Sequence, residues 1–306
     1  MLNTARSLQL TSLALITILL TACGGDNGVG PQGNSPATDA TIEANSEVAD
    51  SLPLDDQRDF EDARRGLVAT PENLKITMDD GTVIWDMSSY AFIEGEAPDT
   101  VNPSLWRQAM LNNIHGLFEV TEGVYQVRGF DLANMSLIRG ERGWIIVDPL
   151  TTRETAAAAM AFAREHLGDD PITAIIVTHS HIDHFGGMLG ALGASEDVEI
   201  IAPVGFMHES TSENVIAGTT MSRRSMFMYG SQLERSAQGH VGSGLGKSPA
   251  YGSPGIKAPT RVIYETGETM TIDGVEFIFQ NAGGSEAPAE LTFYLPGKKA
   301  FCGAEV

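Results

Sequence analysis

Thr178-His179-Ser180-His181-Ile182-Asp183-His184-Phe185-Gly186-Gly187 places four potential metal ligands, His179, His181, Asp183 and His184, within six residues. Ahead of it runs Ile172-Thr173-Ala174-Ile175-Ile176-Val177, a short β-branched apolar run that reads as a buried strand. Two glycines and an apolar stretch with helical character follow. The ligands therefore sit on a strand-to-helix turn, where an α/β sheet places its chemistry. His179 and His181 are two positions apart and point the same way while the backbone stays extended. Asp183 and His184 come after the turn and are free to face a second ion. Neutral imidazole and carboxylate suit zinc and neighbouring first-row metals. The bland alternative is a polar, His-rich surface loop. Three of the seven histidines gather here behind a buried-type strand, which weighs against it.

Upstream, strand signals accumulate at 123–127, 135–138 and 143–148. The last, Gly143-Trp144-Ile145-Ile146-Val147-Asp148, closes an apolar run on a carboxylate. Read alone, Asp148 is a strand-end cap or turn residue. Residues 152–167 form a helix by composition, with Thr151 or Thr152 as N-cap and Gly168 as the stop. Strand, helix, strand, metal loop is an α/β order. Further upstream, Asp80-Gly81 predicts a hairpin between 74–77 and 82–85, and Asn102-Pro103-Ser104 a turn into a helix at 105–113.

Downstream, 198–202 is another strand and 206–235 reads as helical, rich in Met, Arg and Asn. Its Met cluster (Met221, Met226, Met228) is core filler or the wall of a pocket for a flexible apolar chain. Arg223-Arg224 is either an acid-paired surface dyad or an anion clamp. The Gly-rich loop at 239–247 lacks the strand and helix of a phosphate cradle. His208 and His240 read as surface residues rather than ligands. Strands follow at 262–264, 270–272 and 275–279 around Asp273-Gly274, and then carboxylates in loops after apolar runs, among them Glu286, Glu290 and Glu305.

With 40 acidic and 19 basic residues the formal charge is −21. Such a surface disfavours nucleic acid and anionic headgroups. An anionic substrate then needs local positive charge from metals and a few Arg or Lys. Two cysteines, Cys23 and Cys302, make no disulfide framework. Residues 1–22 carry Arg6, no acid, and an apolar core too short for a comfortable membrane span. The core ends in Leu20-Thr21-Ala22-Cys23-Gly24, which resembles the bacterial lipobox, with Cys23 lipidated. The expected division is a signal peptide at 1–22, a flexible tether at 23–57 and a catalytic domain at 58–306.

The His-x-His-x-Asp-His pattern resembles the metallo-β-lactamase superfamily, αβ/βα sandwiches that usually bind two metals. More specifically, the chain resembles its alkyl- and aryl-sulfatases, the type III sulfatases. The matching segments include Asn102-Pro103-Ser104-Leu105-Trp106-Arg107, 125–131, Glu213-Asn214, Met221-Ser222-Arg223-Arg224, Met228-Tyr229-Gly230, 244–247, Glu286-Ala287-Pro288-Ala289-Glu290 and Ala304-Glu305. The resemblance implies an α/β metallo-β-lactamase sandwich and two Zn²⁺ ions, or other divalent metals. One ion would sit on His179, His181 and Glu286. The other would sit on Asp183 and His184, with Glu305 shared or adjacent, and Asp183 would aid the activated water. Asp148 would support the metal loop from behind, and Arg223, Arg224 and Tyr229 are candidates for substrate binding.

The resemblance further implies hydrolysis of alkyl sulfates such as dodecyl sulfate; an apolar groove, expected to include Met226, Phe227 and Met228, would hold the tail. The resemblance implies a homodimer for full-length members; the acidic charge argues against a nucleic-acid partner. The membrane contact would be the N-terminal lipid alone, on the periplasmic side of the envelope. The family supplies a further histidine ligand and a dimerisation region beyond the matched segments, so the chain reads as C-terminally truncated. The competing readings are another hydrolase of the superfamily (lactonase, thioesterase, β-lactamase) and an inactive lipid-anchored metal-binding fragment.

Overall fold

The computed structural model describes residues 34–195 and 197–306. The expected signal peptide and Cys23 lie outside them. In chain order the elements begin with α1 (Asp39–Ser51), α2 (Arg58–Arg64), β1 (Leu67–Ala69), β2 (Lys75–Thr77) and β3 (Val83–Asp86). Next come α3 (Pro103–Leu111), β4 (Gly116–Thr121), β5 (Val124–Arg128), β6 (Met135–Arg139), β7 (Trp144–Val147), α4 (Arg153–Leu167) and β8 (Ile172–Ile176). Then follow α5 (Ile182–Phe185), α6 (Met188–Leu192), β9 (Glu199–Pro203), α7 (Phe206–Thr211) and α8 (Gly218–Tyr229). The last are β10 (Arg261–Ile263), β11 (Thr269–Ile272), β12 (Val275–Asn281), β13 (Leu291–Leu295) and β14 (Ala300–Cys302).

Eight strands form one sheet in the order β1-β4-β5-β6-β7-β8-β9-β10, and β11 to β14 form a second, antiparallel one. The large sheet is antiparallel up to β7 and parallel from β7 to β10. The parallel half holds the metal loop at the end of β8, where crossover helices leave the strand ends open to a ligand. β7 is buried on both faces: Trp144 and Ile146 join the helix-side core, Ile145 and Val147 the core between the sheets. The same alternation in β8 is offset by a register shift after Ile172, so Ala174 and Ile176 face the second sheet. There Phe277, Phe279 and Phe293 close the seam, each burial contributing about 1.5–3 kcal/mol. On the other face α4, α6 and the β2–β3 hairpin cover the sheet. A helix layer and two packed sheets supply the αβ/β part of the αβ/βα sandwich that the resemblance implies. The outer face of the small sheet carries an apolar row, Ile278, Tyr294 and Phe301, opposed across the strands and partly exposed.

Three expectations change. The segment read as a flexible tether contains α1, capped by Thr38, docked on α3 and tied to the loop ahead of α3, where Asn45 Nδ2 donates to the Asp99 carbonyl at 2.8 Å. Ala, Glu and Ile supply helix propensity there, and composition rich in small polar residues masked it. The single helix expected at 206–235 is broken by a π-turn, Ser212–Ile216, and ends at Gly230 in the left-handed region. His240, read as a surface residue, is buried beside Tyr90, whose hydroxyl lies 3.4 Å from Nδ1; His208 is exposed as expected.

His240 gives a pH prediction. Burial, with Arg235 nearby, lowers its pKa to about 4. The unfolded chain takes up this proton near 6.5 and the folded one only near 4, so stability falls across that window on acidification. Relative to His240→Gln, the wild type is expected to lose about 1–3 kcal/mol in urea unfolding between pH 6.5 and 4. A stability gap that stays flat with pH would refute the assignment.

Candidate metal centre

The geometry starts from Asp148, at φ +54° immediately after β7. Its buried carboxylate reaches across to Thr178, two residues past the end of β8. Thr178 N–H donates to Oδ1 (2.8 Å) and the Thr178 hydroxyl to Oδ2 (2.7 Å). With its proton so committed, the Thr178 oxygen accepts from His179 Nδ1–H at 2.9 Å. Oδ2 also accepts from His184 Nδ1–H at 2.9 Å. One carboxylate thus sets the tautomer of both histidines, directly and through a hydroxyl, and turns each Nε2 lone pair inward.

Those two nitrogens, His179 Nε2 and His184 Nε2, are buried and have no hydrogen-bond partner. A buried polar atom without a partner is costly, and an imidazole lone pair so placed suits a metal. Around them stand two donor sets. His179 Nε2 lies 3.7 Å from Glu286 Oε2 and 3.8 Å from Glu305 Oε2, and His181 Nδ1 lies 3.0 Å from Glu286 Oε2. His184 Nε2 lies 3.5 Å from Asp183 Oδ2 and 3.3 Å from Glu305 Oε1. The two groups, His179/His181/Glu286/Glu305 and Asp183/His184/Glu305, share Glu305. The residues fit two borderline divalent ions such as zinc, held by nitrogen and oxygen donors.

Electrostatics agree with a site built for cations. Burial and the adjacent His184 push the His179 pKa down to about 4. Burial also opposes charge on His184, but Asp148, Asp183 and Glu305 outweigh it and raise His184 well above the usual imidazole value. Burial raises the Glu286 carboxyl, with Glu305 and Glu290 adding to the effect and His181 opposing it. Carboxylates crowded against one another call for positive charge between them.

Close backbone approach holds the loop down. A Cβ on Gly186 would meet the Thr151 carbonyl at 2.1 Å, and one on Gly187 the Pro149 carbonyl at 2.0 Å. Only glycine lets the turn after the ligands rest on the turn after Asp148. That second turn is fixed by Asp131, a buried carboxylate accepting from the backbone of Leu132, Thr151 and Ala250 and from the hydroxyls of Thr151 and Thr155. The loop bearing Glu286 is organised by Glu290. Its Oε2 accepts from Glu286 N–H (3.0 Å), Ala287 N–H (3.0 Å) and the Ser285 hydroxyl (2.8 Å).

A cleft of about 710 Å³ opens onto the donors. Among the described residues that line it, Arg224 is the one Lys or Arg, beside Tyr229, Met221 and Met228, with Leu132, Leu245 and Tyr251 completing an apolar wall. Arg223 is not in the lining. Met226 and Phe227, expected in the groove, are also outside the lining, and Phe227 is 84% exposed. On a helix these residues leave the face shared by Met221, Arg224 and Met228, whose spacing is three and four. The structure brings together His179, His181, Asp183, His184, Glu286, Glu305 and Asp148. The sequence assigned no role to Thr178, to Asp131 or Glu213, which stood only inside matching segments, or to Glu290, which read as one more carboxylate after an apolar run. The extra carboxylate in Glu286-Ala287-Pro288-Ala289-Glu290 was a visible signal for Glu290; a buried partner 20 residues away gave none for Asp131.

Residues 128–278 match the family model of the metallo-β-lactamase superfamily. The chain is 49% identical to a linear primary-alkylsulfatase of Pseudomonas sp. over 88% of its own length and 41% of that enzyme's. It is 48% identical to an alkyl/aryl-sulfatase of Saccharomyces cerevisiae over 87% of its length and 42% of the relative's. The solved structure of the stereoselective inverting sec-alkylsulfatase from Pseudomonas sp. superposes with a TM-score of 0.83 at 46% identity, covering 88% of this chain and 43% of that one. The chain belongs to the metallo-β-lactamase superfamily. Within it, the chain falls with the alkyl/aryl-sulfatases, of whose curated members it spans about two-fifths of the length.

Proposed function

We propose that the protein hydrolyses sulfate monoesters of long-chain alcohols: R–O–SO₃⁻ and water give R–OH and hydrogen sulfate. The observation that carries the reading is the pairing of two donor groups sharing Glu305 with a cleft that is apolar along one wall and bears one cation. His179, His181 and Glu286 would hold one ion, Asp183 and His184 the other, with Glu305 between them. Ions bound there supply Lewis acidity, which acidifies a water and polarises the ester oxygens.

The chain's own residues do the rest. Asp148 and Thr178 keep the ligand nitrogens aimed. Arg224 offers the sulfate a guanidinium, whose planar donors match its oxygens. Met221, Met228 and Leu245 give the alkyl tail a surface that excludes water, worth about 0.8 kcal/mol per buried methylene. Tyr229, which lines the cleft with Arg224, offers a hydroxyl to the sulfate or the leaving oxygen. The relatives' names, primary- and secondary-alkylsulfatase among them, support the substrate class. For localisation, the lipobox-like Leu20-Thr21-Ala22-Cys23 supports a lipid anchor on Cys23, with the enzyme on the periplasmic side of the envelope. Among the described residues no helix is long and apolar enough to cross a membrane. The homodimer rests on the resemblance alone.

The test is sulfate release from dodecyl sulfate by zinc-loaded protein, beside a lactone and a β-lactam. Sulfate release that Arg224→Ala cuts about 10–100-fold, chiefly through KM, is the expected result. Turnover of the lactone or β-lactam with no sulfate release would replace this reading with another hydrolase of the superfamily.

A further inference from the structure

Glu213 belongs to neither donor group, yet its carboxylate faces one of the ligands. It sits in the π-turn Ser212–Ile216, between α7 and α8, with its side chain 27% exposed. Its Oε2 lies 3.8 Å from His181 Nε2, while His181 Nδ1 lies 3.0 Å from Glu286 Oε2. The imidazole is thus bracketed by carboxylates, one on each nitrogen. No Lys or Arg pairs with Glu213 among the described residues. Mid-helix π-turns cost regular hydrogen bonding and recur at functional sites. This one turns Glu213 toward the cleft, and Asn214 Nδ2 ties the turn back to the Ser210 carbonyl at 2.9 Å.

We propose that Glu213 is a positioning residue for the metal centre: it holds the proton of His181 on Nε2, so that the Nδ1 lone pair faces Glu286 and the ion between them. His179 and His184 receive that service from Thr178 and Asp148 on their Nδ1 atoms. His181 presents the opposite nitrogen, so its support must come from the other side of the ring, where Glu213 stands. The separation of 3.8 Å is beyond hydrogen-bond length, so the pairing is electrostatic, and a negative carboxylate there favours the N–H over the lone pair. The same π-turn leads into α8, which carries Met221, Arg224 and Tyr229 along the cleft. Glu213 therefore links the orientation of a metal ligand to the wall that meets the substrate. This inference rests on the two-metal reading of the site but not on the identity of the substrate.

The experiment measures zinc affinity of the full 306-residue chain by competition with a chromophoric chelator, for the wild type, Glu213→Gln, Glu213→Ala, His181→Ala and the double variant His181→Ala/Glu213→Ala. Glu213→Ala is expected to weaken one zinc equivalent about 10-fold. Glu213→Gln, which keeps an acceptor but no charge, is expected to fall between it and the wild type. In the His181→Ala background the second substitution is expected to cost nothing further, because its effect runs through His181. Unchanged affinity in Glu213→Ala would overturn the proposal, as would an equal loss in both backgrounds, which would make Glu213 an independent ligand. Thermal unfolding of the metal-free forms checks folding; a variant that fails it is replaced by Glu213→Asp, expected to retain affinity within about threefold of the wild type. Wild-type protein that binds zinc but releases no sulfate would defeat the sulfatase reading and leave this one standing.

Discussion

Asp148→Asn is expected to cost about 100-fold in affinity for the ion at His184 while leaving the fold standing. Asparagine tolerates the left-handed φ of +54° at this position. Its carbonyl oxygen still accepts from Thr178 N–H. Its amide, however, donates where Oδ2 accepted, toward the Thr178 hydroxyl and His184 Nδ1. His184 then puts its proton on Nε2, the nitrogen that faces Asp183 and Glu305. The Thr178 hydroxyl loses its acceptor and with it the fixed orientation that holds His179 Nδ1. A single atom exchange thus misdirects two ligand nitrogens at once. Asp148→Ala goes further. It strands the Thr178 N–H and hydroxyl and the His184 N–H in a buried place, at about 1–3 kcal/mol each, and leaves an alanine at positive φ. Metal content by mass spectrometry and unfolding of the metal-free protein separate the two effects. Asparagine is expected to change the first and alanine both. An Asp148→Asn protein that retains two tightly held ions would sink the tautomer argument.

The contrast between these histidines and the rest of the site explains what the sequence made legible. His179, His181, Asp183 and His184 were readable because a strand-to-helix turn confines them to six residues. Strands β5 to β8 were readable because their apolar runs are bounded by turns. β4 was not, since Gly116 and the exposed Glu119 and Val120 break its pattern. Asp148 alone looked like a strand-end residue. Its role depends on contacts to Thr178 and His184, 30 and 36 positions away, which strand register creates and local sequence does not encode. Asp131 is the stronger case, tying residues 151–155 to residue 250 through four hydrogen bonds. Glu286 and Glu305 came from resemblance; read as residues they were solvated acids. Helix α1 escaped notice because none of its residues is buried, leaving no apolar stripe to read.

Glu290→Ala is expected to remove about 2–5 kcal/mol of stability and to loosen the ion held by Glu286. The substitution leaves the N–H groups of Glu286 and Ala287 without their acceptor, whereas the Ser285 hydroxyl keeps the Ala282 carbonyl. Because one of the two stranded groups is the backbone of a ligand residue, instability and metal loss share a cause. The neighbouring pairings, Ser180 N–H to the Ala289 carbonyl and Leu291 N–H to that of Thr178, still tether the loop's far end to the metal turn. The loop therefore frays at Glu286 rather than unfolding outright. Glu290→Gln isolates the charge. Burial alone would raise the Glu290 carboxyl, but donors from Ala287, Ser285 and Glu286 outweigh it and lower its pKa below the usual glutamate value. A folded-state pKa below the unfolded one stabilises the protein above pH 4.5, and that contribution is lost as pH falls through the lower, folded value. The advantage of the wild type over Glu290→Gln in urea unfolding should accordingly be full at pH 7 and shrink toward zero below pH 4.5. An advantage that persists unchanged at pH 3 would mean that shape, not charge, holds the loop.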